Sequence, residues 1–150
     1  MASTIDPQNF KATLSTQITL AGQPRVTEAE FIVADVNEYD NRIMSIPTGS
    51  EVTVVSFSSA VAAGTFISGD LKYLSIANKD TVNYARIRMK KNGADTFDKR
   101  LNAGEIFITG NTKESVSETA ASFVAFQDAD SISMQAYTAA VDIELVVVSI

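Results

Sequence analysis

Cysteine, histidine and tryptophan are all absent from this chain of 150 residues. Without cysteine the chain forms no disulfide and has no thiolate nucleophile, and without cysteine and histidine it lacks the usual ligands of a zinc site. Histidine is also the side chain best suited to proton transfer near neutral pH. We therefore expect that the protein is not an enzyme and that it holds no cofactor and no metal.

Positive charge is scarce, because 12 lysines and arginines stand against 18 aspartates and glutamates and the net charge is −6. Nucleic-acid binding depends on clustered cations, so we expect no nucleic acid as a partner. Long apolar runs are missing too, since no stretch of about eighteen apolar residues occurs and MASTIDPQNF lacks the parts of a signal peptide. These features predict no membrane partner and synthesis in a cytoplasm.

Apolar residues are present in sufficient number for a globular protein, since 45% of the chain is hydrophobic and 20% is charged. They alternate with polar residues at a period of two, which is typical of strands with one buried face. Turn residues between these runs divide the chain into roughly nine to eleven short strands. The pattern predicts an all-β fold, an antiparallel β-sandwich of jelly-roll-like or immunoglobulin-like type, with at most one short helix, at residues 111–121.

The N-terminal residues 1–9 are polar and contain Pro7, which predicts a flexible arm. Residues 10–150 show no linker and no repeat, so we expect a single β-sandwich domain there. Within it, the first strand covers 10–20, and a polar loop at 37–41 joins two shorter strands.

Two further patterns predict local features of the sandwich. In EVTVVSFS, the alternation changes phase between Val54 and Val55, which predicts a bulge or a strand buried on both faces. In the C-terminal segment VDIELVVVSI, we expect one set of alternate residues to face the core, namely Val141, Ile143, Leu145 and Val147.

The segment ARIRMKKNG, residues 85–93, alternates small or apolar residues with cations. The cations could form a basic strip for phosphate or an anionic partner. We favour the interpretation that they are the solvated face of a strand whose inner face is Ala85, Ile87 and Met89. A third possibility is that they meet acidic residues of the C-terminal segment, across neighbouring strands or between subunits. The candidate interface residues are Arg86, Arg88, Lys90, Lys91, Asp142 and Glu144.

Two acidic segments, DVNEYDN at 35–41 and QDADS at 127–131, contain oxygen ligands of the kind that calcium prefers. Neither has the spacing of an EF-hand loop, so we interpret them as solvated loops. Exposed aromatic residues in such loops would favour a carbohydrate-binding module, and the candidates are Tyr39 and Tyr137.

The segment LKYLSIANKDTVNYARIRMKKNGADTFDKRLNAGEIFI, residues 71–108, resembles a module of small virion proteins of tailed bacteriophages, especially those of marine and cyanobacterial hosts. The resemblance lies in the LKYLSIAN strand, the VNYARIRM strand, a polar hairpin, and LNAGEIFI with its Ala-Gly turn before an apolar strand. It covers about a quarter of the chain.

This resemblance implies a β-sandwich structural subunit of a phage particle that acts by packing and self-association. The first expectation is a capsid decoration (cement) protein in the virion, assembled in the host cytoplasm, with the major capsid protein as its partner. Self-association as a trimer would suit a three-fold capsid site. The alternatives are a tail or fibre component, or a receptor- or carbohydrate-binding β-sandwich module.

Overall fold

The computed structural model describes residues 8–91, 95–110 and 129–150. All regular structure in these residues is β-strand, with eleven strands in total, so the predicted all-β fold is confirmed. No helix in the described part of the chain is long and apolar enough to cross a membrane. The place of the predicted short helix, 111–121, lies outside the described residues.

The chain divides into two compact units, Met1–Asn37 and Glu38–Ile150. The two-sheet architecture belongs to the second unit, whereas the sequence led us to expect one sandwich domain over 10–150. Of the flexible arm expected at 1–9, residues 1–7 lie outside the description and the last two residues already belong to the first strand.

The first unit is a long β-hairpin of two antiparallel strands, β1 (Gln8–Leu20) and β2 (Gln23–Val36). The two residues between them, Ala21 and Gly22, have φ angles of 50° and 78°. A two-residue turn with positive φ at both positions matches the right-handed twist of the strands that it joins. The hairpin is therefore closed by a tight turn.

The second strand of the hairpin contains a proline near its start, although proline is uncommon inside strands. In the structure Pro24 lies within β2, opposite Thr19. Each strand of a two-stranded sheet has one edge that needs no hydrogen bonds, so a residue without an N–H group is tolerated there.

The second unit has two sheets, a five-stranded sheet of order β5-β4-β10-β7-β8 and a four-stranded sheet of order β3-β11-β6-β9. All neighbouring strands are antiparallel except β4 and β5, which are parallel. The bounds are β3 Glu38–Ile46, β4 Val52–Ser58, β5 Phe66–Ile67, β6 Leu71–Asn78, β7 Ala85–Lys91, β8 Asp95–Leu101, β9 Ile106–Gly110, β10 Ser131–Ala136 and β11 Val141–Ser149.

The predicted polar loop at 37–41 is wrong, because β3 begins at Glu38 and pairs with β11 along its whole length. The polar side chains of its first half are compatible with a strand at the edge of the sheet, where one side remains open to solvent. Only Asn37 separates β2 from β3.

The core of the second unit lies between its two sheets. All four C-terminal residues predicted to face inward are fully buried, and so are Ala85 and Ile87 of β7. Burying an aliphatic side chain of this size contributes about 1.5–3 kcal/mol relative to leaving it in water. The cluster draws side chains from both sheets, which accounts for their packing as a sandwich.

The phase change in EVTVVSFS corresponds to a bulge in β4. A bulge was one of the two structures that the pattern predicted. Against β10, Ile132 lies opposite Val55 but Ser133 lies opposite Thr53, so Val54 is the additional residue. Both Val54 and Val55 are buried as a result.

Candidate functional site

The predicted cation strip lies on the outer face of the five-stranded sheet, where Glu51 neutralises much of it. The side chains of Arg86, Arg88 and Lys90 alternate along β7 with buried residues. Arg86 Nη2 lies 2.8 Å and Arg88 Nη1 3.3 Å from Glu51 Oε2, and Lys90 forms an ion pair with Glu51 Oε1. One carboxylate thus holds three cations.

A second carboxylate, Asp98 of β8, lies directly opposite Arg88 in the strand pairing. Arg88 donates two hydrogen bonds to it, from Nε to Oδ1 and from Nη2 to Oδ2, each 2.6 Å long. This two-pronged geometry is the strongest arrangement of a guanidinium and a carboxylate. It fixes both side chains on the sheet surface.

The ion pairs shift the proton affinities of these groups. Burial by itself would raise the pKa of Glu51, but the hydrogen bond from Lys90 and the charges of Lys90, Arg88 and Arg86 lower it overall. The hydrogen bonds from Arg88 lower the pKa of Asp98, and those to Asp98 raise the pKa of Arg88. The carboxylates of Glu51 and Asp98 are consequently ionised at neutral pH.

These contacts favour the interpretation of the strip as the solvated face of a strand. A pairing of the strip with Asp142 and Glu144 across neighbouring strands is wrong, because those two residues lie on β11 of the other sheet. Glu144 instead pairs with Lys79, at 3.2 Å. Contact between these residues of different subunits stays a prediction, and so does a role for Lys91, the last residue of β7.

Neither Glu51 nor the Asp98 pairing was singled out from the sequence. Asp98 could have been found, since the antiparallel pairing of β7 with β8, the next strand in the chain, sets it opposite Arg88. Glu51 could not, because it directly precedes β4, which is separated from β7 by β10.

The aromatic candidate Tyr137 belongs to a stack on the same sheet. Its ring lies 5.2 Å from that of Tyr84 with an interplanar angle of 15°. Arg100 covers the Tyr84 ring at 3.8 Å from its centre and donates a 2.7 Å hydrogen bond to Asn102. Cation–π and stacking contacts of this kind hold side chains in place. Tyr137 lies just after the end of β10 and is half-buried in this stack, so its ring is not freely exposed.

The four-stranded sheet presents a surface of a different character on its outer side. The strand pairing sets residues of β3, β11, β6 and β9 in two rows across the sheet, Ile43-Glu144-Ala77-Ile106 and Asn41-Val146-Ser75-Ile108. The apolar members of these rows form what we call the isoleucine face, which the Glu144–Lys79 ion pair interrupts: Ile43, Ala77, Ile106, Ile108 and Val146. Ile43 is 70% exposed, Ile106 56% and Ile108 43%. Exposed apolar side chains grouped on a sheet mark an interaction surface.

The isoleucine face was missed from the sequence for an identifiable reason. In EIFITG three apolar residues are consecutive, Ile106, Phe107 and Ile108, so the alternation does not show which of them face the core. In the structure Thr109 is buried and Phe107 packs against the core, whereas Ile106 and Ile108 remain exposed.

A cavity of about 280 Å³ opens beside β3, lined by side chains of β3, β5 and the residues before β5: Glu38, Tyr39, Asp40, Arg42, Ala62, Gly64, Thr65 and Phe66. Arg42 donates a 2.7 Å hydrogen bond to the carbonyl of Val54 in the other sheet, and its Nε lies 3.3 Å from Asp40. Tyr39 is exposed and accepts a hydrogen bond from Asn41. Tyr39 is thus the one predicted aromatic candidate that borders this cavity.

The acidic residues do not assemble into a metal site within the described part of the chain, where no group of three or more potential ligands occurs. Asp130 of the second acidic segment precedes β10, and its backbone N–H binds the carbonyl of Lys90. Asp128 lies outside the described residues.

Comparisons with known proteins identify no relative. No family model matches the sequence, and no curated protein or solved structure matches it.

Proposed function

We propose that this protein is a bacteriophage virion structural protein, a capsid decoration (cement) protein that stabilises the head by packing on subunits of the major capsid protein. The observation that carries the proposal is the isoleucine face. Removing exposed apolar surface from water contributes about 25 cal/mol for each Å² buried, so such a face drives association with another protein.

The resemblance to phage virion proteins supports the isoleucine face as the docking surface. The resembling segment, residues 71–108, runs from β6 to β9. These two strands are neighbours in the four-stranded sheet and carry Ala77, Ile106 and Ile108 of the isoleucine face. The part of the chain that resembles virion proteins therefore supplies most of the proposed docking surface.

The way in which such a protein stabilises a head follows from linkage. A ligand that binds the assembled shell but not its separated subunits shifts the equilibrium towards assembly by mass action. This role needs a complementary surface and no chemical step. The charges of the five-stranded sheet, which are paired with one another and solvated, agree with such a role.

The proposal is tested by sedimentation of the full chain with empty heads of the phage that encodes it. We expect the chain to sediment with the heads, and the double variant Ile43→Lys/Ile106→Lys to lose at least about tenfold in affinity, because two charges enter an apolar contact. Val82→Lys and Val61→Lys are the controls, since these valines lie in loops and are 80% and 88% exposed. Equal binding by all variants, or binding by none, contradicts the proposal.

The cavity beside β3 favours a second candidate, a receptor- or carbohydrate-binding module. An aromatic side chain next to charged hydrogen-bonding groups, as in Tyr39, Asp40 and Arg42, is a combination that sugars bind. Binding to immobilised host glycans that is lost in Tyr39→Ala, without binding to heads, would favour this function over decoration.

A further inference from the structure

Strand β3 forms one edge of the four-stranded sheet. Within the described part of the chain it pairs with β11 on one side and with no strand on the other. The free edge of a strand presents backbone N–H and C=O groups on which another strand can add. The edge of β3 is therefore a possible site of association between sheets.

The edge of β3 lacks several features by which proteins prevent such pairing, which are short length, proline, lysine and bulges. β3 has nine residues and contains neither proline nor lysine. It also pairs with β11 along its whole length without a shift of register. Its charged residues, Glu38, Asp40 and Arg42, include both signs, so they do not repel a second copy in every register.

The other edge strands of the two sheets are better protected. β5 and β9 are short, with two and five residues. In β8, Lys99 lies opposite the buried Ile87, so this edge carries a charge on the inner side of its sheet. An inward-pointing charge discourages pairing with a further strand. Among the edges that the structure describes in the second unit, β3 is thus the one most suited to pairing.

We propose that two copies of this chain associate by antiparallel pairing of their β3 strands, with Asn41 of one copy opposite Asn41 of the other. In this register Arg42 of each copy lies opposite Asp40 of the other copy, and Ile43 lies opposite Tyr39. Opposite charges and aromatic–β-branched pairs are both favourable combinations across strands. The two-fold symmetry makes each combination occur twice.

The side chains that meet in this register are accessible. Ile43 is 70% exposed and Tyr39 is 55% exposed. The side chains of Arg42 and Asp40 are 45% and 30% exposed, and they form an ion pair of 3.3 Å within the chain. In the dimer, the ion pairs of the two copies join in a cluster of four charges with alternating sign.

The same charges exclude the neighbouring registers that keep the outer faces of both sheets on one side. If Arg42 lay at the two-fold axis, two guanidinium groups would be opposite one another. If Asp40 lay there, two carboxylates would be opposite one another. Like charges directly opposite are destabilising, so the register centred on Asn41 is selected.

The contact covers residues 38–44 of each copy, about 24 Å of strand. A single pair of strands is a small interface, so we expect a weak dimer with a dissociation constant of about 10–100 μM. The interface is isologous and therefore closed. It joins two four-stranded sheets into one of eight strands, with both isoleucine faces on the same side. The inference goes beyond the decoration role and does not depend on it.

The first experiment tests the register by disulfide formation, because the chain contains no cysteine of its own. Opposite residues of antiparallel strands have Cα atoms about 4.5–5.5 Å apart, which a disulfide can span. We therefore expect Asn41→Cys to form a linked dimer with oxidised glutathione. The control is Ser45→Cys, at an equally exposed position of β3 whose counterpart lies about 27 Å away in this register. Equal linkage of both variants, or none of Asn41→Cys, overturns the inference.

The second experiment exchanges charges and measures association of the full chain by analytical ultracentrifugation, up to about 200 μM. Asp40→Arg alone and Arg42→Asp alone each place like charges across the contact, so each should associate at least about fivefold more weakly than the wild type. Mixed together they restore opposite charges at both pairs, and we expect at least a fivefold gain over either variant alone. Arg42→Asp also loses the hydrogen bond to Val54, but this loss is the same alone and in the mixture.

The control mixture combines Glu30→Arg with Lys11→Asp, which changes net charge equally at an ion pair of the β1–β2 hairpin. These variants should dimerise like the wild type and gain nothing on mixing. A monomeric wild type, a trimer, or an equal gain in both mixtures overturns the inference.

These outcomes are separable from those of the proposed function. Dimers that do not bind heads leave the β3 contact intact and contradict decoration. Head binding by a strictly monomeric chain does the reverse.

Discussion

Glu51 shows how one residue can determine the character of a surface. Its carboxylate lies within ion-pair distance of three cations that would otherwise form a strip of like charge on the five-stranded sheet. Its side chain is 18% exposed, so the contacts are screened less than those of a surface pair. The result is a sheet face on which Glu51 and Asp98 offset two of the three positive charges of β7.

Replacing Glu51 by glutamine should destabilise the fold by about 1–3 kcal/mol, because it removes a charged acceptor from three partly buried cations. The measurement is urea unfolding at neutral pH, with the change read from the midpoint at constant slope. Glu28→Gln in the hairpin of β1 and β2, which we call the ribbon, is the control and should change stability by less than about 0.5 kcal/mol. An unchanged midpoint for Glu51→Gln would contradict the importance of the cluster.

The same cluster predicts a dependence of stability on acid. The pKa values of Glu51 and Asp98 are lowered in the folded chain, from ordinary values of 4.5 and 3.8. Unfolded chains therefore bind protons first, so the stabilisation is complete above about pH 4.5 and is lost as the pH falls below the ordinary values. Unfolding curves from pH 7 to pH 3 should show this loss, and Glu51→Gln should show a shallower one. If the wild type and Glu51→Gln lost stability equally as the pH falls, the contribution of the cluster to the acid dependence would be contradicted.

Asn78 is a second residue whose side chain contributes to the stability of the fold, through several buried hydrogen bonds. Its buried side chain donates to the carbonyls of Asn83, at 2.9 Å, and Leu101, at 3.2 Å, and it accepts from the N–H of Asp80, at 2.9 Å. It thereby ties the end of β6 to the connection that leads into the five-stranded sheet.

Asn78→Leu should cost about 2–3 kcal/mol, because buried backbone groups lose their partners while the apolar volume is kept. Asn41→Leu serves as the comparison, since Asn41 is exposed and its side chain bonds to Tyr39. Thermal and urea unfolding would both report the difference. A smaller loss for Asn78 than for Asn41 would show that the buried network is dispensable.

At the scale of elements, the ribbon depends on the turn at its tip. Ala21 adopts a φ of 50°, in the left-handed region where a Cβ atom is unfavourable and asparagine is better tolerated. Ala21→Asn should therefore stabilise the hairpin by about 0.5–1 kcal/mol.

Hydrogen exchange of the β1 and β2 amides is the measurement, because it reports the opening of one element. We expect exchange to slow by about two- to fivefold in Ala21→Asn. Gly22→Ala, at a φ of 78°, should have the opposite effect. Faster exchange in Ala21→Asn would mean that the turn does not limit the opening of the ribbon.

The sequence predicted which side chains of a strand are buried far better than it predicted which strands pair with each other. Alternation correctly separated the buried Ile87 from the outward Arg86 and Arg88, because burial follows from side-chain polarity at a period of two. It could not show that β6 and β7, consecutive in the chain, belong to different sheets. Strand order depends on long-range packing, which no local pattern records.

The candidate site was predictable only in part for the same reason. The cations of β7 were found, but their shared partner Glu51 lies just before β4, a strand that is not adjacent to β7. The isoleucine face was not predicted, because the sequence does not distinguish an exposed apolar residue from a buried one.

At the scale of the whole molecule, the sheets present outer surfaces of different chemical character. The five-stranded sheet bears a charged face on which two carboxylates offset part of the positive charge, and the four-stranded sheet bears the isoleucine face. We propose the isoleucine face for the contact with the capsid.

Cryo-electron microscopy of virions of the phage that encodes this chain tests the central proposal most directly. The account predicts density for the β-sandwich on the outside of the head, at positions that follow the capsid symmetry, with Ile43 and Ile106 turned towards the capsid subunits. Density for the chain on the tail or fibres alone, or its absence from the virion, would contradict it.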